Sequence, residues 1–439
     1  MYQAEGSGAV LLQRRTATAD AHGRGGHVSR NVIVLGAVSM LTDVSSEMVA
    51  AILPIYLVFA LGASPLGFGI VDGLYQGVSA LVRLASGFLA DRWSRHKEVA
   101  ALGYGLSATC KAALVAIGSS VSAVGGIVLV DRTGKGIRTA PRDALIALSS
   151  APTALATAFG VHRAMDTAGA LLGPLVAFGL LLVAPARFDA IFVVSLCFAV
   201  LGLAVLLLLA DGHPRRPSTP PTDSMSDSHR QDGTIRHRAA ARPTLREALA
   251  LLREPRLRAL VIAAGVLALA TISDGFVYLG LQRTLDLSLT AFPLLFVGSA
   301  AVYMALAIPV GRLADRIGRR LVFVAGYALL LPVYAVLLLP SGGTATLVFA
   351  LALLGAYYAA TDGVLQAIAS ALLPDGLRAS GLALLVTATS LAKLVSSVVF
   401  GLVWTLGGLE VAGGAFIAAL LLALLVATVV LRRSPEVAA

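Results

Sequence analysis

The chain contains one short hydrophilic phrase twice. Gly87-Phe88-Leu89-Ala90-Asp91-Arg92 and Gly311-Arg312-Leu313-Ala314-Asp315-Arg316 stand about half a chain apart. Each closes an apolar run and opens a basic turn, Trp93-Ser94-Arg95-His96-Lys97 and Ile317-Gly318-Arg319-Arg320. A duplication at that period predicts two similar halves rather than one unit with decorations. Of 439 residues, 57% are hydrophobic and only 13% are charged, against about 25% charged in soluble domains. Both halves are therefore expected inside a bilayer, in the internally repeated manner of secondary transporters.

A spanning helix needs about 20 apolar residues. The apolar runs are 32–60, 66–90, 98–118, 122–147, 154–183, 188–210, 257–284, 290–312, 320–340, 344–372, 379–407 and 411–431. The expected fold is an all-α polytopic membrane protein of twelve helices: a bundle of six at 31–210, a linker at 211–256, and a second bundle of six at 257–433. Residues 1–30 and 434–439 read as cytoplasmic tails, with the first helix an uncleaved anchor. The linker holds Pro214, Pro217, Pro220 and Pro221 among Ser, Asp and Arg. Low hydrophobicity and high charge keep it from building a core, although Pro243–Leu249 has the pattern of a short surface helix.

With the N-terminus inside, most of the 34 Lys and Arg fall in cytoplasmic segments, and Arg187 and Arg283 fall near the opposite face. This is the positive-inside asymmetry. The net charge of +10 thus reports orientation, and a nucleic-acid partner is not expected. Cys110 and Cys197 read as small buried hydrophobes. No C-x-x-C or H-E-x-x-H pattern occurs, so no metal, cofactor or catalytic residue is expected.

An ionised side chain at mid-bilayer costs about 2.5–3.5 kcal/mol on insertion scales, so such residues need a partner or a wet cavity. The embedded cations are Arg83, Lys111, Arg132, Lys135, Arg138, Arg163 and Lys393; the acids are Asp43, Glu47, Asp72, Asp131, Asp166, Asp274 and Asp362. Their near balance predicts paired networks around a hydrated centre. Asp43 and Glu47, four apart on one helical face, disfavour joint ionisation, which suits a site that takes up and releases a proton. The other reading is that Asp43 caps a helix break. Arg132, Lys135 and Arg138 form an inclined cationic stripe, with Arg142 and Asp143 read as the cytoplasmic end of that helix. His162 and Asp166 share a face suited to proton relay; an ordinary Arg163–Asp166 ion pair is the alternative. Gly169 and Gly173 leave a groove for a neighbouring helix, and Pro174 bends their helix.

The repeated phrase resembles the G-x-L-a-D-R-x-G-R-[KR] loop motif of the major facilitator superfamily (MFS). The first copy departs at Ser94, where glycine is usual, and at His96; the second has Arg320 for the commoner lysine. Asp131–Arg138 resembles that family's helix 4 signature R-x-x-Q-G-x-G, with Lys135 for glutamine and Arg138 for the last glycine. Gly160, Gly169, Gly173 and Pro174 match the leading part of its antiporter motif G-x8-G-x3-G-P-x2-G-G, while Ala177 and Phe178 replace the final glycines.

The resemblance implies the MFS fold and alternating access by two rocking, pseudo-symmetric bundles. It implies gating by Asp91, Arg92 and Arg95, by Asp315 and Arg316, and by Gly169, Gly173 and Pro174. Helices 1, 4, 7 and 10 line the cavity in that family, and helices 7 and 10 each supply one acid here. Cargo contacts are expected from Asp72, Lys135, Arg138, Asp274, Tyr278, Asp362, Gln366 and Lys393; the alternative for Asp362 and Lys393 is that they neutralise each other. Proton coupling is expected from Asp43, Glu47, Arg132, His162 and Asp166. The expected activity is proton-coupled efflux of a small organic molecule, drug or metabolite, by a monomer in the bacterial inner membrane. The alternatives are proton-coupled import of an anionic nutrient, to which the additional helix 4 cations point, and a transporter-like sensor. No nucleophile–base arrangement points to a membrane enzyme.

Overall fold

The computed structural model describes residues 28–93, 95–116, 120–151, 154–212, 250–338, 343–374 and 377–432; the side chains of 84–93, 156, 378 and 379 fall outside that description. Helices follow one another with no strand among the described residues. Helix α1 (Arg30–Ile55) begins where Ser29 accepts a hydrogen bond from the Val32 N–H, and it ends in a π-helical turn, Tyr56–Ala60. Gly62 then turns the chain at φ +65°, a conformation glycine adopts without strain. Helices α2 (Pro65–Trp93), α3 (His96–Ala116), α4 (Val121–Leu148, capped by Ser120), α5 (Leu155–Val183) and α6 (Phe188–Leu209) complete the first half. Asp43 lies within α1, so it caps no break.

The second half is less regular. The expected single run at 257–284 is two helices, α7 (Pro255–Leu269) and α8 (Asp274–Leu285). A break in hydrocarbon must have its freed backbone groups satisfied. Here the Ile272 N–H donates to the Tyr334 hydroxyl at 2.8 Å, and the Ser396 hydroxyl donates to the Thr271 carbonyl at 2.6 Å. Helix α9 (Pro293–Ile317) follows. The run expected at 320–340 is α10 (Arg319–Ala328) and α11 (Leu330–Val336), separated at Leu329. Helix α12 (Thr344–Leu372) precedes a long helical stretch, Arg378–Arg432, interrupted at Gly408 with φ +84°. The rings of Phe400 and Phe416 are 4.9 Å apart, whereas a straight helix would separate them by about 24 Å. The chain therefore doubles back at Gly408, giving α13 (378–407) and α14 (409–432). The short helix expected at Pro243–Leu249 lies outside the described residues.

Among the described residues, 9 stretches are long and apolar enough to cross a membrane. They differ from the twelve expected by α2 and α4, which are as long but less apolar, and by the reversal at Gly408. Cys110 is buried as expected, but Cys197 is exposed; α6 is apolar on every side, so position alone decides which of its residues face outward.

Within the first half α1 packs on α5 and α6, α2 on α4, and α3 on α4 and α6; within the second, α9 and α10 pack on α12, and α7 on the 378–432 stretch. Two seams join the halves: α2 against the 378–432 stretch, and α5 against α9. The first seam is built on backbone contact. A Cβ at Gly69 would stand 2.5 Å from the Ser397 carbonyl oxygen, one at Gly73 2.9 Å from that of Leu394, and one at Gly77 2.6 Å from the Leu394 side chain. From the other side, Gly401 meets the Pro65 carbonyl in the same way. The four-residue spacing puts Gly69, Gly73 and Gly77 in one row, so two helix backbones approach closely. The Leu66 N–H donates to Thr405 Oγ1 at 2.9 Å, and Phe68, Phe276 and Phe400 stack edge to face across the same end.

The seam predicts an asymmetric response to a single methyl. Gly69→Ala should lower the thermal unfolding midpoint of the purified protein, a loss of about 1–3 kcal/mol typical of overpacking. Gly126→Ala, where a Cβ meets nothing within 4 Å, should leave the midpoint unchanged or raise it.

Candidate functional site

The embedded charges fall into separate clusters. In the first, Asp131 on α4 is buried between Lys111 Nζ of α3, at 3.1 Å, and the guanidinium of Arg132, at 2.6 Å. Two cations and one carboxylate would leave an excess positive charge. The Arg132 guanidinium spends it on the face of Tyr75 of α2, 4.0 Å from the ring centroid, a favourable cation–π distance. Glu47 of α1 lies in the field of both Arg132 and Tyr75. About two turns further along α4, Arg138 donates to Ser107 Oγ at 2.9 Å and covers the Tyr104 ring at 4.8 Å. It faces α3 rather than a cavity, because residues seven apart on α4 share the face that Asp131 turns toward α3.

The second cluster joins α1, α4 and α5. Asp43 does not pair with Glu47 but faces Asp166 of α5. Two neighbouring carboxyl groups in a poorly solvated site disfavour joint ionisation, because like charges repel. Around this pair, Arg142 Nη1 lies 3.8 Å from Asp166 Oδ1 and donates to Ser39 Oγ at 2.9 Å, while its Nη2 meets Asp143 at 2.9 Å. Arg163 Nη1 lies 3.4 Å from Asp166 Oδ2. His162 Nε2 and Ser39 Oγ are 3.0 Å apart. Lys135 and Arg138 act on Asp43 from α4. Sequence reasoning placed Arg142 at a cytoplasmic helix end and overlooked Ser39. The signal was there: Arg142 follows Arg138 by one turn and therefore continues the same charged face.

The glycines of α5 meet α1. A Cβ at Gly169 would collide with the Met40 carbonyl, and one at Gly173 would stand 2.9 Å from the Val44 carbonyl and 2.8 Å from Glu47 Cβ. The groove ahead of Pro174 thus packs inside the first half and presses α5 onto the segment that carries Asp43 and Glu47.

In the second half, both Asp274 oxygens accept from the Tyr358 hydroxyl, at 2.7 and 2.8 Å. Asp274 shares a small pocket with Gln76, Thr271 and Lys393. Asp362, Gln366 and Lys393 line another, with Tyr327 and Tyr357. Tyr303 of α9 feels both Arg163 and Asp362, so it stands between the two halves.

Two expected cargo contacts lie elsewhere. Asp72 is in the α2 seam, where its carboxylate accepts from Ser397 Oγ at 2.6 Å. Tyr278 is fully buried, its hydroxyl bonded to Ser299 and its ring against Phe296. Its direction is set by the restart of the helix at Asp274, which a continuous helix would not have imposed. Of the expected gates, Asp91 and Arg92 end α2 with side chains outside the described set, and Arg95 is exposed. Asp315 bonds Arg319 of the same turn at 2.8 Å, and Arg316 is exposed. No group of His, Cys, Asp and Glu able to hold a metal occurs among the described residues.

Known proteins resemble this arrangement at two depths. The family model described as Major Facilitator Superfamily matches residues 35–296 and 260–439. An uncharacterised MFS-type transporter of Methanocaldococcus jannaschii is 30% identical over 387 residues, 86% of this chain and 89% of its own. An uncharacterised protein of Mycobacterium tuberculosis is 34% identical over 152 residues, 35% of this chain and 37% of its own. Among solved structures, the nucleoside transporter NupG superposes with a TM-score of 0.72 at 15% identity, over 91% of this chain and 100% of that one. A bacterial homologue of the human lysosomal transporter Spinster, inward-facing and unoccupied, superposes at 0.70 with 16% identity, over 92% and 98%. At these identities the structural likeness is one of fold.

The first cluster predicts strong coupling between its members. Asp131→Asn leaves two buried cations uncompensated and should destabilise the protein by about 3–5 kcal/mol. Asp131→Asn with Lys111→Met should recover a large part of that loss. A double-mutant cycle read by thermal unfolding checks both.

Proposed function

Because the chain belongs to the Major Facilitator Superfamily, and is thus a multi-pass membrane transporter rather than an enzyme, we propose that it exports a small organic molecule in exchange for protons by alternating access. In this reading it works as a monomer in the bacterial inner membrane with both termini cytoplasmic. Twelve crossings in two bundles at 31–210 and 257–433 rock about the α2 and α5 seams. The end of α2 at Pro65 is then the outer side, so the glycine and phenylalanine contacts there close the outer mouth.

The observation that carries the reading is the Asp43–Asp166 carboxyl pair. Two carboxylates so placed repel each other, so uptake of a proton relieves the pair and its release pushes the two apart. Arg142, Arg163 and His162 supply charges that can follow either change. Gly169 and Gly173 support efflux further, since they clamp α5 against α1 where the pair sits, so that a change at the pair is transmitted as a shift between those helices. Glu47 and Arg132 extend the site toward α2. The Asp91-Arg92 and Asp315-Arg316 turns are assigned, by family likeness, to the cytoplasmic gate.

Import of an anionic nutrient drew its support from the additional cations of α4. Arg132 lies on Asp131 and Tyr75, Lys135 acts on Asp43, and Arg138 lies on Ser107 and Tyr104, so the stripe is engaged within the first half.

The direct test reconstitutes the protein in proteoliposomes with a cargo identified by growth-inhibition profiling of a deletion strain. Cargo should move against an imposed proton gradient, and Asp43→Asn should reduce gradient-driven transport at least about tenfold while leaving the protein inserted. Accumulation of cargo in the direction of proton flow would overturn efflux; full activity of both Asp43→Asn and Asp166→Asn would overturn the coupling assignment.

A further inference from the structure

Asp362 of α12 and Lys393 of α13 line one pocket and are close enough for Lys393 to influence the carboxylate. Yet no ion pair joins them among the described residues, and Asp362 Oδ2 is buried without a hydrogen-bond partner. Opposite charges in a low-dielectric pocket gain most by closing on each other, and a partnerless buried carboxylate oxygen is costly. Bundles with no use for the gap would close it. The same pocket is lined by the rings of Tyr327 and Tyr357, set edge to face at 5.2 Å, and by apolar side chains such as Leu385.

We propose that the Asp362–Lys393 gap is the cargo slot and that it receives a small zwitterion with an apolar body, of the amino-acid type. The ammonium sits at Asp362 Oδ2 against the tyrosine rings, whose faces attract cations. The carboxylate sits at Lys393 Nζ, and the aliphatic part lies against Leu385. Lys393 also lines the smaller pocket that holds Asp274 and Gln76. Its flexible stem can therefore carry the anionic end of the cargo toward α2, at the seam between the halves. This assignment rests on the transport reading above, because it names that transporter's cargo class.

The test is equilibrium binding to the purified protein in detergent, with no gradient present, using three probes of one carbon skeleton: L-leucine, 3-methylbutylamine, which lacks the carboxylate, and 4-methylpentanoate, which lacks the amine. Leucine should bind at least about tenfold tighter than either half-probe, the value of one charge-assisted contact. Asp362→Asn should abolish that preference and strengthen 4-methylpentanoate relative to leucine; Lys393→Gln should do the converse for 3-methylbutylamine. The opposite signs separate a lost contact from a damaged fold, and the wild-type comparison stands even if a variant fails to fold. Failure of leucine to bind, equal binding of leucine and either half-probe, or loss of all probes without a change of preference in both variants would overturn the assignment. Leucine binding without gradient-driven movement would instead overturn coupled efflux and leave the slot intact.

Discussion

An ion is stable in hydrocarbon only beside its opposite, and the Lys111–Asp131–Arg132 contact is where that constraint fixes the first half. Asp131 locks α4 to α3 at one rotation of the helix. Once α4 is held so, its other cations have no freedom of direction: Arg132 lies on Tyr75 of α2, Arg138 on Ser107 and Tyr104 of α3, and Arg142 on Ser39 of α1 and Asp166 of α5. One buried carboxylate thereby sets the register of the helices around it. The Asp43–Asp166 pair is a product of the same alignment, because Arg142 can reach it only from an α4 turned this way.

The contacts differ in kind according to where they act. Every ion pair described above lies within one half, whereas the seam between the halves uses glycine backbones, phenylalanine rings and hydroxyls: Leu66 to Thr405, and Ser397 to Asp72. Buried ion pairs are costly to separate, while a neutral hydrogen bond such as Leu66 to Thr405 contributes about 0.5–1.5 kcal/mol and one to a carboxylate about 1.5–3. The halves are thus internally stiff and joined by contacts that can be exchanged, which is the division of strength that rigid-body rocking requires.

The class of fold was legible from the repeated phrase and the apolar runs, because both report solvent and symmetry rather than detailed packing. The pairing of the charges was not. Asp43 and Glu47 share a helical face, but α1 is surrounded, and its neighbours drew the two acids to different partners, Asp166 on one side and the Arg132–Tyr75 contact on the other. The break at 270–273 carries no proline or glycine; it depends on Tyr334 and Ser396, which lie far along the chain and supply the missing backbone partners. Arg142 lies in the last two turns of α4, yet it is no free helix end, because Ser39 of α1 and Asp166 of α5 lie within its reach, and neither neighbour is visible from α4 alone. The α2 glycine row was readable from spacing alone, as the α5 row was, and it went unnoticed among the glycines of so apolar a chain.

That row has a mechanical consequence. Interlocked side chains must be lifted out of their holes before two helices can move, so a knobbed interface behaves as a ratchet with discrete stops. Gly69, Gly73 and Gly77 present a bare track instead, along which Ser397 and Leu394 can roll with little steric friction. A bearing of this sort resists separation yet permits tilt, so the two halves can pivot about α2 without parting.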